Sequence, residues 1–524
     1  MNRAFVFTLV SFIFLMNNFL YAKDDFTYKF KNDFYLQHNE VTGNSPSSST
    51  LTEGLSYYNL FTLYTKGNLG DIKYKLNIGV KLTDDRKKDV KDVSLFNLSG
   101  KVNKDAHTLD LGDYMRSFSK YSMSSTLKGA AYTYDNKIDR VDLLYGIAYS
   151  RWDNFWSNEV DSTKREVFGA RYSRKVTDNL SASFDVVKTD DNNDILTGVS
   201  LYETTLYTVN STYRPIKGLK LYGEYSFSDN KTKDTINPDK KNGGAIFLQA
   251  TGNKNPSRVR LEYERVSPDF KTVTGSATPD REKAKATWRY KITKTMSLNT
   301  GFLWFRDNIE NTKTATTNTY RPNIGVIFKH LFDRRYATLD LNYKLNIIDT
   351  SVNKTTDNIY DLNYKDRFGI FHTNTNLNYN IYDTNNNIKS QKEIKFNTTI
   401  NTRHSFDDLV LKPSFMFGTW SMNDELTING DNEYYQASFG LGASIPSKKI
   451  SSTFRIGKNR STRDTGDDMD KVFASFDLYW KVGKIDQFKN VMVYYKTYIN
   501  DYSYTTIAND YQELSMTLGF KMSF

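Results

Sequence analysis

The feature that most constrains the fold of this chain is an alternation of apolar and polar residues that recurs along its length. From Asp71 to Thr83, the even positions carry Ile, Tyr, Leu and Val, and the odd positions between them carry Lys, Asn and Gly. The same period of two returns in residues 141–149, 339–347 and 472–482. Because successive side chains of a β-strand point to opposite faces, this pattern predicts strands with one apolar and one polar face.

The first residues form an apolar segment of a different kind. Arg3 precedes an apolar run from Ala4 to Met16, and Leu20-Tyr21-Ala22 approximates the small-residue motif at which signal peptides are cleaved. The run is shorter than the ~20 residues that a membrane-spanning helix needs. The sequence therefore predicts a cleavable signal peptide over residues 1–22 and export of residues 23–524. An uncleaved anchor helix is the alternative.

The composition fits a membrane protein that spans the bilayer without helices. Aromatic residues make up 15% of the chain, with 37 Tyr and 34 Phe, yet the mean hydropathy is −0.61. In a bilayer, only helices and closed β-barrels satisfy all backbone hydrogen-bonding groups. Since no apolar run beyond residue 22 approaches helix-spanning length, we expect residues 23–524 to form an all-β fold, a single large antiparallel transmembrane β-barrel.

Two length classes of connection separate the predicted strands. Residues 68–70 and 177–179 are short and turn-like, whereas residues 229–242 form one of the longer polar stretches. Bacterial barrels have short periplasmic turns and long extracellular loops, so we assign the two classes to those two sides. The alternating runs predict about 22 to 26 strands, an even number. Residues 93–134 and 349–366 leave the count open within that range.

The last predicted strand carries the most specific signal in the sequence. Its polar positions are occupied by Ser, Thr, Gly and Lys. Its apolar positions are Leu514, Met516, Leu518, Phe520, Met522 and Phe524. This strand resembles the C-terminal insertion signal of Gram-negative outer-membrane β-barrel proteins, and residues 23–524 resemble porin-like barrels at the level of pattern, with no specific characterised family identified. The resemblance implies an integral outer-membrane location, contact with outer-membrane lipid and lipopolysaccharide, and recognition by the barrel-insertion machinery.

The polar face of each strand becomes the lumen wall once the apolar face is assigned to lipid. The basic residues that then face the lumen are Lys73, Lys75, Lys81, Arg258, Arg260, Lys283, Lys285, Arg289 and Lys291. In a chain with a formal net charge of +11, such rows would concentrate anions in the lumen. Two alternatives stay open: lumen acids such as Glu224, Asp340 and Asp477 neutralise them, or they reflect a composition rich in Lys and Asn.

Aromatic residues also cluster where strands meet loops, at Trp152 with Phe155 and at Trp304 with Phe305. We expect these residues to belong to the interfacial girdle of the barrel. Stacking on sugar rings is the alternative interpretation.

Residues that carry chemistry are scarce. Cysteine is absent, which excludes disulfides, thiolate metal sites and cysteine nucleophiles. The five histidines are scattered without zinc-type spacing, and no nucleophile-elbow or phosphate-loop motif occurs. We therefore predict that the protein is not an enzyme and has no cofactor, no metal site and no nucleic-acid partner.

The predicted function follows from a large barrel with a polar lumen. Alternation begins as early as Phe26, close to the predicted cleavage site, and this argues against an N-terminal plug domain. An unplugged barrel of this size encloses a water-filled lumen. We expect a porin-like channel for passive passage of small hydrophilic solutes with a mild preference for anions. The alternatives are a polymer export conduit, a structural barrel around a periplasmic partner of the porin-cytochrome type, and a surface receptor or adhesin.

Overall fold

The computed structural model describes residues 26–148, 151–152, 155, 164–192, 201–233, 239–385, 390–425, 430–485 and 488–524. The predicted signal peptide at residues 1–22 lies outside them. In chain order the strands are β1 Thr27–Gly43, β2 Gly54–Leu69, β3 Ile72–Thr83, β4 Val93–Lys104, β5 His107–Ser119, β6 Met123–Asp135, β7 Asp139–Ala148, β8 Lys164–Lys175, β9 Leu180–Asn192, β10 Tyr202–Tyr213, β11 Leu219–Thr232, β12 Lys240–Lys254, β13 Ser257–Val266, β14 Arg281–Lys291, β15 Met296–Asp307, β16 Thr317–Lys329, β17 Thr338–Thr350, β18 Lys354–Phe368, β19 Phe371–Thr384, β20 Ser390–Asn401, β21 His404–Phe406, β22 Leu409–Asp424, β23 Asn432–Ile445, β24 Ile450–Arg463, β25 Met469–Ile485, β26 Phe488–Tyr504 and β27 Tyr511–Ser523. No helix in this described part is long and apolar enough to cross a membrane.

The strands close into one antiparallel barrel. Strands that follow one another in the chain pair with each other, and β1 pairs with β27 from Lys31 opposite Ser523 to Gly43 opposite Tyr511. Because β20 and β21 both pair with β22, they are two segments of one position, and the barrel has 26 strand positions. The prediction of an all-β, single large antiparallel barrel is confirmed at the upper end of the expected strand number. Residues 93–134, which the alternation left open, contain β4, β5 and most of β6.

The pairing register sorts the side chains of each strand onto two faces. On β9, Asp185 and Val187 are fully buried inside the barrel, whereas Phe184 points outward and is 47% exposed. Directly opposite residues of antiparallel strands share a face, so the register extends this assignment around the wall. Large apolar side chains such as Tyr225 and Leu248 stand exposed on the outer face, as a lipid-facing belt requires.

The two ends of the barrel differ in their connections. We call the end with residues 70–71, 105–106 and 255–256 the turn rim, and the opposite end the loop rim, where residues 44–53 and 84–92 are typical. Residues 330–337 form a longer connection at the turn rim, and residues 351–353 a tight one at the loop rim. The two expected length classes are thus present, with these exceptions. The assignment of the turn rim to the periplasm stays a prediction.

The β5–β6 hairpin leaves the wall and folds into the lumen. β5 pairs with β4 only between His107 and Gly112, although both strands continue toward the loop rim. Gly112 has a φ of +81°, and a Cβ there would lie 2.0 Å from the carbonyl oxygen of Leu98, so glycine is needed for the turn. Beyond it, the carboxylate of Asp113 accepts a hydrogen bond from the Leu98 amide at 2.7 Å, in place of the lost strand pairing.

The tip of this hairpin packs against the inner wall of β8 to β13. Tyr121 and Met123 are fully buried there, in a core that includes Val187 and Leu206 of the wall. Residues 267–280 fold inward over the tip, and their Phe270 meets the Tyr121 ring edge-on, with 5.6 Å between ring centroids. This sector of the lumen is therefore packed with side chains and is not filled by water.

Two buried carboxylates hold the tip in place. Glu224 accepts hydrogen bonds from the backbone amides of Lys120 at 3.2 Å and Tyr121 at 2.8 Å. Glu264 forms an ion pair with Lys120 and accepts a hydrogen bond from the Tyr121 hydroxyl at 3.1 Å. Burial lowers the pKa of Lys120, and Glu264 opposes that shift. Because an unpaired buried charge is costly, Lys120 is stable at the tip only while Glu264 lies beside it.

The inward turn generates a prediction about Gly112. Gly112→Ala should strain the backbone by about 1–3 kcal/mol and loosen the hairpin. The refolded barrel should therefore unfold at a lower temperature, and trypsin should cleave after Lys120 faster than in the unchanged protein.

Gly100→Ala is the matched control, because Gly100 lies on the neighbouring strand and its added Cβ would meet nothing closer than 3.8 Å. We expect this variant to keep both the unfolding temperature and the resistance to trypsin. If the two variants behave alike, Gly112 does not determine the inward position of the hairpin.

Candidate functional site: the basic mouth at the turn rim

The structure places the predicted basic residues of β13 and β14 on the inner face. Glu264 identifies that face, because it contacts the hairpin tip inside the lumen through the Tyr121 hydroxyl. The register and the alternation then put the following residues on the same face: Arg258, Arg260, Lys283, Lys285, Arg289 and Lys291.

The predicted lysines of β3 lie on the same inner face. Lys75 is directly opposite Lys101 on β4, which is opposite Asp110 on β5. Asp110 is opposite Ala131 on β6, and Ala131 belongs to the buried inner core. The alternation on β3 therefore puts Lys73 and Lys81 inside together with Lys75.

Carboxylates neutralise the inner cations that lie away from the turn rim. Lys81 pairs with the buried Asp89 at 2.5 Å, and Lys283 pairs with Glu264 at 2.5 Å. Arg260 forms an ion pair with Glu262, which is also directly opposite Lys285. Lys81, Lys283 and Arg260 thus have a carboxylate partner, and Lys285 has a carboxylate opposite it without an ion pair. We expect these four residues to contribute less to the lumen potential than cations with no carboxylate nearby. Their effect on selectivity stays untested.

The cations of β13 and β14 at the turn rim have no such partners. Arg258, Arg289 and Lys291 surround a cavity of about 680 Å³ together with Lys329 at the end of β16. None of the described residues that line this cavity carries a carboxylate, and within the described chain these four side chains form no ion pair. Arg258 and Arg289 are also directly opposite each other across the two strands.

A second row of cations lies at the same rim near the closure of the barrel. Lys75 is directly opposite Lys66 on one side and Lys101 on the other, and Lys73 is two residues away on β3. The only neighbouring carboxylate within ion-pair distance in the described chain is Asp110, 3.7 Å from Lys101. Like charges directly opposite each other destabilise a sheet. We name this row and the four cations around the cavity together the basic mouth.

Three members of the basic mouth were not identified from the sequence: Lys66, Lys101 and Lys329. Each lies at the turn-rim end of its strand, where the alternation is interrupted by the connection that follows or precedes it. Their position near the predicted residues comes from cross-strand register and from the shape of the cavity. A sequence signal existed only for Lys66, which lies within a few residues of the predicted short turn at residues 68–70.

The side chains of the basic mouth are all lysines and arginines, and such cationic donors suit an anionic ligand. Among the residues that the structure describes, no group of three or more His, Asp or Glu side chains is arranged to hold a metal ion.

The predicted insertion-signal strand is β27, which joins the two ends of the barrel. Its apolar residues face outward, and Leu518 is 55% exposed. Phe524 exchanges backbone hydrogen bonds with Phe30 at 2.9 and 3.2 Å, and its ring stacks on that of Tyr28 with 5.1 Å between centroids. The role of this strand in recognition by the insertion machinery stays a prediction.

The interfacial girdle was the wrong expectation for two aromatic residues. Trp152 is 4% exposed, and its indole nitrogen donates to Asp113 at 2.8 Å beside the gap that β5 leaves in the wall. Phe305 faces the lumen, where the guanidinium groups of Arg281 and Arg321 lie 4.6 and 5.5 Å from its ring centroid. The position of Trp152 depends on the gap that β5 leaves in the wall, whereas Phe305 occupies an inner position in the regular register of β15.

Comparison with known proteins finds similarity only among solved structures. No family model and no characterised protein sequence matches the chain. The translocation pore of the P pilus usher PapC is 11% identical and covers 94% of this chain and 99% of its own, with a TM-score of 0.40. OpdQ of Pseudomonas aeruginosa is 13% identical and covers 65% of this chain and 98% of its own, with a TM-score of 0.35. OpdL of the same organism is 12% identical, covers 68% and 99%, and has a TM-score of 0.36. At these values the similarity assigns neither a family nor a substrate, in agreement with the expectation that no specific family would be identified.

A thiol placed among cations without carboxylate partners should react differently from a thiol placed beside a carboxylate. Because the chain lacks cysteine, Arg289→Cys introduces its only thiol, next to Arg258 and Lys291. A sulfonate-bearing thiol reagent should react there faster than a trimethylammonium-bearing reagent of similar size at low salt. The difference should shrink at about 1 M salt, where the Debye length falls to about 3 Å.

Two further single-cysteine variants serve as controls. Lys283→Cys places the thiol beside Glu264 and should show no preference for the anionic reagent. Ala286→Cys lies on the outer face and should react with neither reagent in a lipid bilayer. The same preference at residues 283 and 289 would show that the turn rim has no distinct potential.

Proposed function

We propose that this protein is a porin-like outer-membrane channel for passive passage of small hydrophilic solutes, with a mild preference for anions. The observation that carries the proposal is the basic mouth. In the described chain, Asp110 beside Lys101 is the one carboxylate within ion-pair distance of its cations, and these cations face each other across neighbouring strands. Such pairs cost stability, and a protein that keeps them in a lumen wall gains a positive potential at that end of the passage.

The size of the barrel supports a passage. With strands ~4.8 Å apart and tilted by ~40°, the 26 positions give a backbone diameter of roughly 50 Å. The hairpin tip and residues 267–280 fill the sector along β8 to β13. The proposed route for solutes is therefore the opposite sector of the lumen.

Away from the filled sector, the inner wall of β17 to β20 is polar and close to neutral. Inner positions of β17 to β20 carry amides and paired charges, for example Asn378, which donates to Asp361 at 2.6 Å, and Lys344, which pairs with the same carboxylate at 2.8 Å. Water and hydrated solutes are compatible with such a surface. Because this wall contributes little net charge, the charge preference of the channel would be determined at the basic mouth.

The proposed function includes a location of the barrel in the outer membrane. An outer belt of exposed apolar side chains and the closed hydrogen-bond ladder suit a bilayer, and we place the turn rim in the periplasm and the loop rim outside. Outer-membrane lipid, lipopolysaccharide and the barrel-insertion machinery are the proposed partners of the outer face and of β27. We assign no catalytic role to the protein.

A second candidate function is export of an acidic polymer. The observation that favours it is again the row of Lys66, Lys75 and Lys101. Three cations in register, with Asp110 near Lys101 as their one ion-pair partner in the described chain, fit a ligand with repeated negative charges better than a single small anion. The two functions differ in the free conductance of the pore, since a dedicated conduit would be closed to small ions without its export partners.

The test is the reversal potential of refolded protein in a planar bilayer under a potassium chloride gradient. The unchanged channel should favour chloride at low salt. Replacing Arg258, Arg289, Lys291 and Lys329 together with Gln should move the reversal potential toward that of a non-selective pore, because the local field is then reduced within about a Debye length, ~10 Å at 0.1 M salt.

The matched control replaces four exposed lysines of the loop rim with Gln: Lys87, Lys231, Lys240 and Lys354. It removes the same formal charge far from the basic mouth and should leave the reversal potential nearly unchanged. Equal shifts in the two variants would contradict the assignment of selectivity to the mouth. The absence of any small-ion conductance in folded protein would contradict the channel itself and favour the export conduit.

A further inference from the structure

The cavity among the turn-rim cations has the composition of a binding site. We name it the Pro256 pocket, and its described lining is Asn253, Asn255, Pro256, Ser257, Arg258, Arg289, Lys291 and Lys329. An adjoining cavity of about 600 Å³ shares Arg289, Lys291 and Lys329 with it and adds Lys294. We infer that the Pro256 pocket binds a phosphate group, either of a free phosphorylated solute or inorganic phosphate, or of an anionic phospholipid.

The first argument is the contrast within β13 and β14 themselves. Toward the loop rim, the cations of these two strands are matched by carboxylates: Lys283 by Glu264 and Arg260 by Glu262. Toward the turn rim, Arg258 is instead opposite Arg289. The same two strands carry carboxylates, so acidic residues are not lacking. The two turn-rim arginines have no carboxylate partner because Arg258 and Arg289 lie opposite each other and not opposite an acid. An external anion would supply the missing negative charge.

The second argument is the kind of donors that converge. Two guanidinium groups offer paired N–H donors that match the oxygens of a phosphate group, and Lys291 and Lys329 add point charges. The side-chain amides of Asn253 and Asn255 are neutral donors in the same lining. Ser257, whose hydroxyl accepts a hydrogen bond from the Trp288 indole at 2.8 Å, has the outward parity of β13 and does not belong to this set of donors. A doubly charged oxyanion uses this set better than chloride does.

The third argument concerns the source of the phosphate group. The Pro256 pocket is lined from the inner face by Arg258 and Arg289, so a solute in the lumen reaches it. The adjoining cavity is also lined by Tyr290 and Ile292, which have the outward parity of β14 and its end. A phospholipid of the adjacent leaflet would therefore reach the same cations from outside. The shared ligand chemistry is the phosphate group, and the experiment separates the two sources.

The inference deepens the proposed function by naming a substrate class, and it rests on that function only for the claim that the bound group is transported. The test is therefore equilibrium binding to refolded full-length protein without any ion gradient. In the first arm, inorganic phosphate is titrated into the protein in a zwitterionic detergent and binding heat is measured. In the second, the protein is held in nanodiscs of phosphatidylcholine with a minor fraction of phosphatidylglycerol, and retained lipid is identified by native mass spectrometry.

The paired variants make the test specific. Arg258→Gln with Arg289→Gln should weaken binding by at least about tenfold, since each loses a charged hydrogen-bond donor. Lys231→Gln with Lys354→Gln removes the same formal charge from exposed positions at the loop rim and should bind as the unchanged protein does. Saturable phosphate binding with this difference supports the pocket with a free ligand, and selective retention of phosphatidylglycerol with this difference supports it with a lipid headgroup.

Two outcomes would overturn the inference: no saturable binding in either arm, or equal weakening by both double variants, which would reduce the pocket to a part of a general field. The result is separable from the test of the proposed function. A pore without chloride preference whose Pro256 pocket still binds phosphate would contradict the anion-selective channel and leave the binding site standing.

Discussion

The rest of the structure depends on closure of the hydrogen-bond ladder between β1 and β27. Unpaired backbone N–H and C=O groups cannot be tolerated in lipid, so an antiparallel sheet of this size is stable in a bilayer only when its first and last strands pair. The pairing runs along nearly the whole of both strands, from Lys31 opposite Ser523 to Gly43 opposite Tyr511. Closure fixes which face of every other strand is lipid and which is lumen, and the distribution of charge follows from it.

Neighbouring strands part between β4 and β5, and the chain compensates for it. Gly112 permits the turn, Asp113 accepts the hydrogen bond of the Leu98 amide, and Trp152 and Lys128 in turn pair with Asp113. The hairpin that leaves the wall places Tyr121 and Met123 in an apolar core on the inner face, where they fill part of the lumen. The side chains of the wall alone cannot fill a barrel of this width. The β5–β6 hairpin fills one sector of its lumen.

Charge pairing separates the inner wall into two parts with different physical properties. Where cations meet carboxylates, as Lys283 and Lys120 do at Glu264, the charges serve structure and are shielded from solutes. Where cations meet cations, as at Arg258 with Arg289, the charge is available to a solute or ligand. This distinction makes the turn rim the part of the barrel from which both the proposed selectivity and the proposed phosphate site arise.

The sequence by itself determined the fold class, because alternation at period two depends only on the identity of consecutive residues and on the geometry of a strand. It also determined which side of each strand is polar, so that Arg258, Arg289 and Lys291 were assigned to the lumen from the pattern alone. It could not show which of the inner cations are neutralised, because the partners are remote in the chain: Lys120 and Glu264 are separated by 144 residues. Nor could it reveal the inward turn at Gly112, since the alternation is ambiguous over residues 93–134, which include β5. Only the tertiary structure decided these points, because cross-strand register and the position of an inward-folded hairpin depend on contacts between distant segments and not on the order of neighbouring residues.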